Sequence, residues 1–239
     1  HLIFMDKIFK ISPNYSKKPR KKREIEFVII HYTGMQSEIA SIKRLTDPRS
    51  KVSCHYLIGR TGKVVQIVSD LYTSWHAGKS KWKNFKNLNE KSIGIELVNR
   101  GHGLGYQNFT KRQIRSLILL SRKLKKKYKI KCINFLGHSD IAPLRKIDPG
   151  EKFPWKELSR FNLGKWYRDD KKKLKFDQKI MNKLFFKNLR KIGYRYFNIN
   201  RSNRSDIKII KSFQRHYLPK NVTGKIDQKT YRISHYLTL

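Results

Sequence analysis

Short apolar runs, separated by polar and basic stretches, set the rhythm of this chain. Phe27 to Ile30 is a continuous apolar run ending at His31, the pattern of a central strand buried on both faces. Ser53–Gly59 and Lys63–Val68 are strand-like runs joined by Arg60, Thr61 and Gly62, which predicts a hairpin with glycine at the turn. Ser92–Val98 alternates, with Ile93, Ile95 and Leu97 on one face and Gly94 and Glu96 on the other. Cys132–Leu136 predicts a further short strand ending at Gly137 and His138. Between these strands, Thr110 and Gln113 form a capping box. Ile114, Leu117, Ile118, Ser121, Leu124 and Tyr128 follow at helical spacing, with lysines on the far face. Pro154 opens a brief helix.

From about residue 168 the pattern changes. Asp169, Asp170 and the lysines after them make a polar break. Helical segments follow at Ile180–Ile192, stopped by Gly193, at Ser205–Tyr217, stopped by Pro219, and after Asp227. Residues 1–24 are polar and basic, contain Pro13 and Pro19, and read as an arm or linker. The expected architecture is α/β: a mixed central β-sheet flanked by helices over 25–167, plus a small C-terminal three-helix domain over 168–239.

Composition adds one strong fact. The 239 residues carry 56 Lys and Arg against 17 Asp and Glu, a formal charge of +39. Basic clusters at Lys17–Arg23, Arg122–Lys131 and Lys165–Lys175 would attract polyanions, or simply solvate helix backs. No zinc-finger, helix-turn-helix or RNA-recognition signature accompanies them, so nucleic acid is not an expected partner. No apolar run is long enough to cross a bilayer, and His1–Lys10 has neither the apolar core nor the small-residue cleavage site of a signal peptide. Cys54 and Cys132, both in apolar strand-like runs, are read as buried thiols outside any disulfide framework.

The chemistry begins where strands end. His31 and His138 close two strands and Asp148 follows in the next loop. Two imidazoles and a carboxylate are a donor set that suits catalytic zinc, which keeps a fourth position open. By spacing alone this is a weak signal, because histidines so far apart are usually unrelated. Asp148 with Pro149 and Gly150 is also an ordinary turn, and Asp140 competes as a ligand or orders its own loop.

The surrounding words sharpen the reading. In order they are FVIIHYTG (27–34), SCHYLI (53–58), WHAG (75–78), SIGIEL (92–97) and GHSDIAPLRKIDPGEKFP (137–154). Over residues 24–167 the chain resembles the type-2 N-acetylmuramoyl-L-alanine amidase family, which is related to peptidoglycan recognition proteins and to amidase-type phage lysozymes. The resemblance implies a zinc amidase that cleaves the amide between the lactyl group of N-acetylmuramic acid and L-alanine. It assigns His31, His138 and Asp148 as Zn2+ ligands, Glu96 as the catalytic acid–base, and Lys146 as the cation facing the oxyanion.

Trp75, His76, Tyr32 and His55 are candidates for the substrate cleft, although His55 also reads as core or as support for the ligands. The glycine-rich stretch around His102 lacks the spacing of a phosphate-binding or dinucleotide loop and reads as a flexible cleft rim. Residues 212–215 (SFQR), 222–224 (VTG) and Asp227 to Thr230 are similar to a peptidoglycan-binding domain, with Phe213 and Gln214 expected in helix core and capping roles. Glu90 and Lys91 depart from the more neutral pair expected before the SIGIEL strand.

Peptidoglycan or muropeptides are the implied partners, and the cell envelope, the periplasm or secretion is the implied location, with the cytoplasm still open. A recognition protein that has lost catalysis would share these words but lack a ligand position, and here all three are filled.

Overall fold

The computed structural model describes residues 8–168 and 176–239. The expected interdomain break falls at 169–175, and part of the N-terminal arm at 1–7; both lie outside the described residues.

In chain order the strands are β1 (Ile8–Phe9), β2 (Tyr15–Ser16), β3 (Phe27–Tyr32), β4 (Tyr56–Ile58), β5 (Val64–Gln66), β6 (Thr73–Ser74), β7 (Lys81–Trp82), β8 (Phe85–Lys86), β9 (Ser92–Leu97) and β10 (Phe135–Gly137). The helices are α1 (Glu38–Thr46), α2 (Lys111–Tyr128), α3 (His138–Ile141), α4 (Trp155–Arg160), α5 (Gln178–Ile192), α6 (Asp206–Tyr217) and α7 (Gln228–Tyr236). Six strands form the central sheet in the order β1-β5-β4-β9-β3-β10. Only the expected hairpin, β4 with β5, is antiparallel; every other pair in this sheet is parallel. Parallel strands need cover on both faces, and the apolar residues divide accordingly.

Val28, Ile30, Ile93, Ile95 and Leu97 face α2, where they meet Ile114, Leu117, Ile118 and Leu124. The helix is started by the capping box: Thr110 Oγ1 accepts the Gln113 N–H at 3.1 Å, and Gln113 Oε1 accepts the Thr110 N–H at 3.4 Å. The buried Gln113 amide then donates to the carbonyls of Ile58 and Val98, both at 3.0 Å, and ties the helix to the sheet.

Phe27, Ile29 and Leu136 face the other way. There they share one continuous core with Trp82, Ile141 and residues of the C-terminal helices, among them Phe185, Leu189, Phe213 and Tyr217. Two of the three C-terminal helices, α5 and α7, carry aspartate caps, with Asp177 and Asp227 accepting first-turn N–H groups. Phe213 is fully buried, and the Gln214 side chain accepts from Gly224 N and donates to Thr230 Oγ1. These helices therefore form the layer that covers the second face of the sheet. No helix among the described residues is long and apolar enough to cross a membrane.

Three elements differ from expectation. Cys132–Asn134 is a 3₁₀ turn, closed by Asn134 N–H to the Lys131 carbonyl, and the strand begins only at Phe135, where pairing with Val28 starts. Cys132 is accordingly half-buried, while Cys54 is fully buried. Helix α1 left no apolar stripe to read, because it buries only Ser41 and Leu45 and leaves Ile39 80% exposed.

The third concerns the N-terminal stretch, which is sewn onto the sheet. β1 pairs with β5 and β2 with β6. Arg20, from the middle of a basic cluster, is buried, with its guanidinium donating to the carbonyls of Asp70, Asn89 and Glu90. Charge alone cannot distinguish such an arginine from its solvated neighbours.

Asp70 anchors the same corner. Its carboxylate accepts from the Tyr56 hydroxyl at 2.5 Å, the Tyr128 hydroxyl at 2.6 Å and Lys127 Nζ at 2.8 Å. Burial pushes this carboxyl up, but hydrogen bonds from Lys127, Tyr128 and Tyr56 outweigh it and hold the group below its ordinary value. The stabilisation is therefore present above the unfolded carboxylate pKa of about 3.9 and is lost as pH falls through the lower folded value. Asp70→Asn is expected to cost about 2–3 kcal/mol at neutral pH in urea unfolding. The gap from the parent should begin to narrow below about pH 4, as the unfolded chain binds the proton, and close as pH falls through the lower folded value.

Candidate metal centre and cleft

Parallel register builds the site. Gly137 pairs with Ile30 and Glu96 with His31, so the carboxyl ends of β9, β3 and β10 lie side by side. His138 follows Gly137 as the first residue of α3 instead of closing the strand, and it stands beside His31. Ligand sites in open parallel sheets gather at such ends.

Three atoms converge there. His31 Nδ1 lies 2.9 Å from His138 Nδ1, and each lies 3.1 Å from Asp148 Oδ2. All three residues are buried. The Asp148 loop is held by the Ser139 N–H, which donates to the Asp148 carbonyl at 2.8 Å.

Hydrogen-bond partners on the far sides of the rings decide where the ring protons are. The Ser92 hydroxyl donates to the Leu88 carbonyl at 2.5 Å, so its oxygen accepts from His76 Nε2 at 3.1 Å. His76 Nδ1 is then bare and accepts from His31 Nε2 at 3.0 Å, which leaves His31 Nδ1 a free lone pair. For His138, Nε2 faces the Ala77 carbonyl at 3.0 Å, and a carbonyl can only accept. With the ring neutral, that contact leaves Nδ1 as the acceptor facing the cluster. Burial, then the neighbouring His138, push His31 down to about 4 against the opposing pull of Asp148, so its imidazole is neutral at physiological pH. Burial raises the Asp148 carboxyl, but His138 and His31 outweigh it and keep the group ionised.

In these neutral tautomers two ring nitrogens and a carboxylate face one another, a donor set that one bound cation would satisfy together. Tetrahedral zinc with ligand bonds near 2.05 Å requires donors about 3.3 Å apart, within a few tenths of those found. The donor set and its far-side hydrogen bonds fit zinc.

Glycine at 94 makes room for this relay: a Cβ built there would sit 2.4 Å from the His76 ring. The backbone of the WHAG stretch is fixed by Asn89 Oδ1, which accepts the N–H groups of His76 and Ala77 at 3.1 and 2.7 Å.

A cleft of about 470 Å³ opens over the three donors. His31, His138, Asp148, Glu96, Lys146, Tyr32, Trp75 and His76 all contribute to its wall. His55 does not. It is fully buried behind the sheet end, with Gly94 N–H donating to its Nδ1 and its Nε2 facing the Tyr72 carbonyl. Burial and the nearby Arg20 push His55 down to about 3. Its role in the structure is to pin the β4–β9 edge, as core chemistry rather than cleft surface.

Glu96 Oε2 is buried without a hydrogen-bond partner. Burial, then the Asp148 charge, raise this carboxyl to about 8, with Lys146 opposing. A carboxylate raised this far is poised to exchange protons near neutral pH.

Arg145 was not singled out by its sequence, where it is one basic residue among 56. Its guanidinium lines the cleft and donates to the carbonyls of Ala77 and Lys79, bracing the acceptor that fixes the His138 ring. The His102 loop is pinned at its centre: His102 stacks on Tyr106 at 4.2 Å and meets the Tyr32 hydroxyl and Glu151.

Comparison with known proteins agrees with this geometry. The profile of the family described as N-acetylmuramoyl-L-alanine amidase matches residues 21–151. The N-acetylmuramoyl-L-alanine amidase AmiD of Escherichia coli (strain K12) is 34% identical over 232 residues, covering 89% of this chain and 82% of that protein. The 1,6-anhydro-N-acetylmuramyl-L-alanine amidase AmpD of Haemophilus influenzae is 35% identical over 162 residues, covering 60% of this chain and 85% of that protein. A solved complex of the E. coli AmiD with the substrate anhydro-N-acetylmuramic acid-L-Ala-D-gamma-Glu-L-Lys superposes with a TM-score of 0.77 at 30% identity, covering 93% of this chain and 91% of that one. By profile, by sequence over most of its length and by fold, this chain belongs to the N-acetylmuramoyl-L-alanine amidase family.

Proposed function

We propose that this protein is a zinc-dependent hydrolase of the amide between the lactyl group of N-acetylmuramic acid and L-alanine, acting on peptidoglycan or its soluble fragments. The observation that carries the reading is the meeting of His31, His138 and Asp148 beneath a cleft, in a chain of this family. His31, His138 and Asp148 would hold the ion. When bound, zinc supplies Lewis-acid chemistry, polarising a carbonyl and making water a better acid.

The remaining work falls to side chains of this protein. Glu96 has an unpartnered oxygen at the cleft and a raised pKa, so its carboxylate takes the proton of the attacking water and delivers it to the departing L-alanine amine. Lys146 lines the same cleft and supplies a fixed cation for the developing oxyanion. Tyr32 and Trp75 offer aromatic wall to the sugar and peptide, while His76 acts behind His31. The C-terminal helices are proposed to bind peptidoglycan, and the cell envelope or periplasm is the compartment where such a substrate is met. A polyanionic surface there would also suit the +39 charge.

Stripping the protein with a chelator should abolish release of L-alanyl peptides from muropeptides, read by mass spectrometry, and zinc should restore it. His138→Ala should lose both zinc and turnover. Glu96→Gln should keep zinc and lose roughly 10²–10⁴-fold in kcat; a near-normal rate would remove Glu96 from the mechanism. Gly94→Ala displaces the His76 ring and should weaken zinc about tenfold or more through His31, as read by competition with a chromophoric chelator.

A further inference from the structure

Asp140 lies two residues beyond His138, is 1% exposed, and takes no part in the donor cluster. Its carboxylate is instead filled by three donors. Oδ2 accepts the Gly137 N–H at 2.7 Å and His216 Nδ1 at 2.8 Å, and Oδ1 accepts the Tyr194 hydroxyl at 2.5 Å. Gly137 ends β10, whereas Tyr194 follows α5 and His216 lies in α6. One buried carboxylate therefore joins the metal-ligand loop to the C-terminal helices.

A second strut runs beside it. Ser212 Oγ, also in α6, donates to the Ser139 carbonyl at 2.7 Å, and the Ser139 N–H in turn holds the Asp148 carbonyl. The His216 ring is stacked on Trp155 at 4.1 Å and 11°, and the Tyr194 ring packs edge-on to Trp82 at 4.9 Å. Both donors are thus held in place before they reach Asp140.

Helix α3 needs such support. It has four residues, a single turn, and one turn of helix cannot offset its own ordering entropy. Its N-cap is a glycine with no side chain, so Asp140 reaches back to the Gly137 N–H in place of a cap. The orientation of α3 sets where His138 Nδ1 points, and through Ser139 it also sets the Asp148 loop.

We propose that Asp140, His216 and Tyr194 are positioning residues, through which the C-terminal helices hold His138 and Asp148 at the spacing zinc requires. This rests on the zinc-amidase reading above. It gives the C-terminal helices a task at the reaction centre that is separate from any contact with the wall. Buried partners that orient ligands are typically worth about 10–100-fold in metal affinity or activity.

The test uses the full chain. Tyr194→Phe removes one oxygen and keeps the ring, His216→Leu removes the donor, and His216→Asn restores an N–H near the Nδ1 position. Zinc affinity is read by chelator competition, and kcat and KM are measured on a soluble muropeptide. Tyr194→Phe and His216→Leu should weaken zinc roughly tenfold or more and lower kcat, with KM within about twofold of the parent. His216→Asn should recover most of the His216→Leu loss. Folded variants that bind zinc within about twofold of the parent would overturn the proposal, as would equal losses in His216→Asn and His216→Leu. Should the His216 variants not fold, Tyr194→Phe decides alone. A parent protein that takes up no zinc would overturn the functional reading and this one with it; a parent that binds zinc alongside unaffected variants overturns this one only.

Discussion

Two imidazoles and a carboxylate, packed about 3 Å apart in a buried pocket, form a donor set that a single cation would tie together. Everything around the cluster serves to keep those three donors aimed inward. The Leu88 carbonyl orients Ser92, Ser92 orients His76, and His76 takes the far proton of His31. The Ala77 carbonyl takes the far proton of His138. A neutral histidine has one proton to place, so fixing it outside fixes the lone pair inside.

The sheet is the frame that makes such aim possible. Three adjacent parallel strands end at the same level, and their register sets His31 between Glu96 and His138. Glu96 and His31 lie on the face of the sheet opposite Ile95 and Ile30, which pack towards α2. The site therefore shares its face with Phe27 and Ile29, and that face is covered by the C-terminal helices. Burial here is costly for polar groups, and the structure meets the cost with pairings: Arg20 with three carbonyls, Asp70 with three donors, Asp140 with three more. Glu96 Oε2 is an exception, and an unpartnered oxygen at the cleft is what proton transfer demands.

The large positive charge has little part in this. Helix α2 has no acidic residue in its first turn and lysines in its last, and its far face is basic, while its buried face is aliphatic. Lys146, Arg145 and Arg44 are the cations that line the cleft wall. The surplus governs what the surface attracts, not how the core is built.

Much of this was legible in the chain itself. Apolar runs and alternation located β3, β9 and the hairpin, the Thr110–Gln113 box located α2, and the ordered motif words pointed to His31, His138, Asp148, Glu96 and Lys146, which the fold brings to one cleft. Such features are local: a strand buried on both faces and a capped amphipathic helix each carry their cause within a dozen residues. What the sequence could not disclose is pairing between distant residues. Helix α1 has almost no buried stripe, Arg20 resembles its solvated neighbours, and His55 and His76 sit in equally plausible words yet take different places. The union of Asp140 with Tyr194 and His216 spans 54 and 76 residues. Those outcomes follow from which polar groups find partners once the sheet and its two covering layers have closed, and only the tertiary structure sets that geometry.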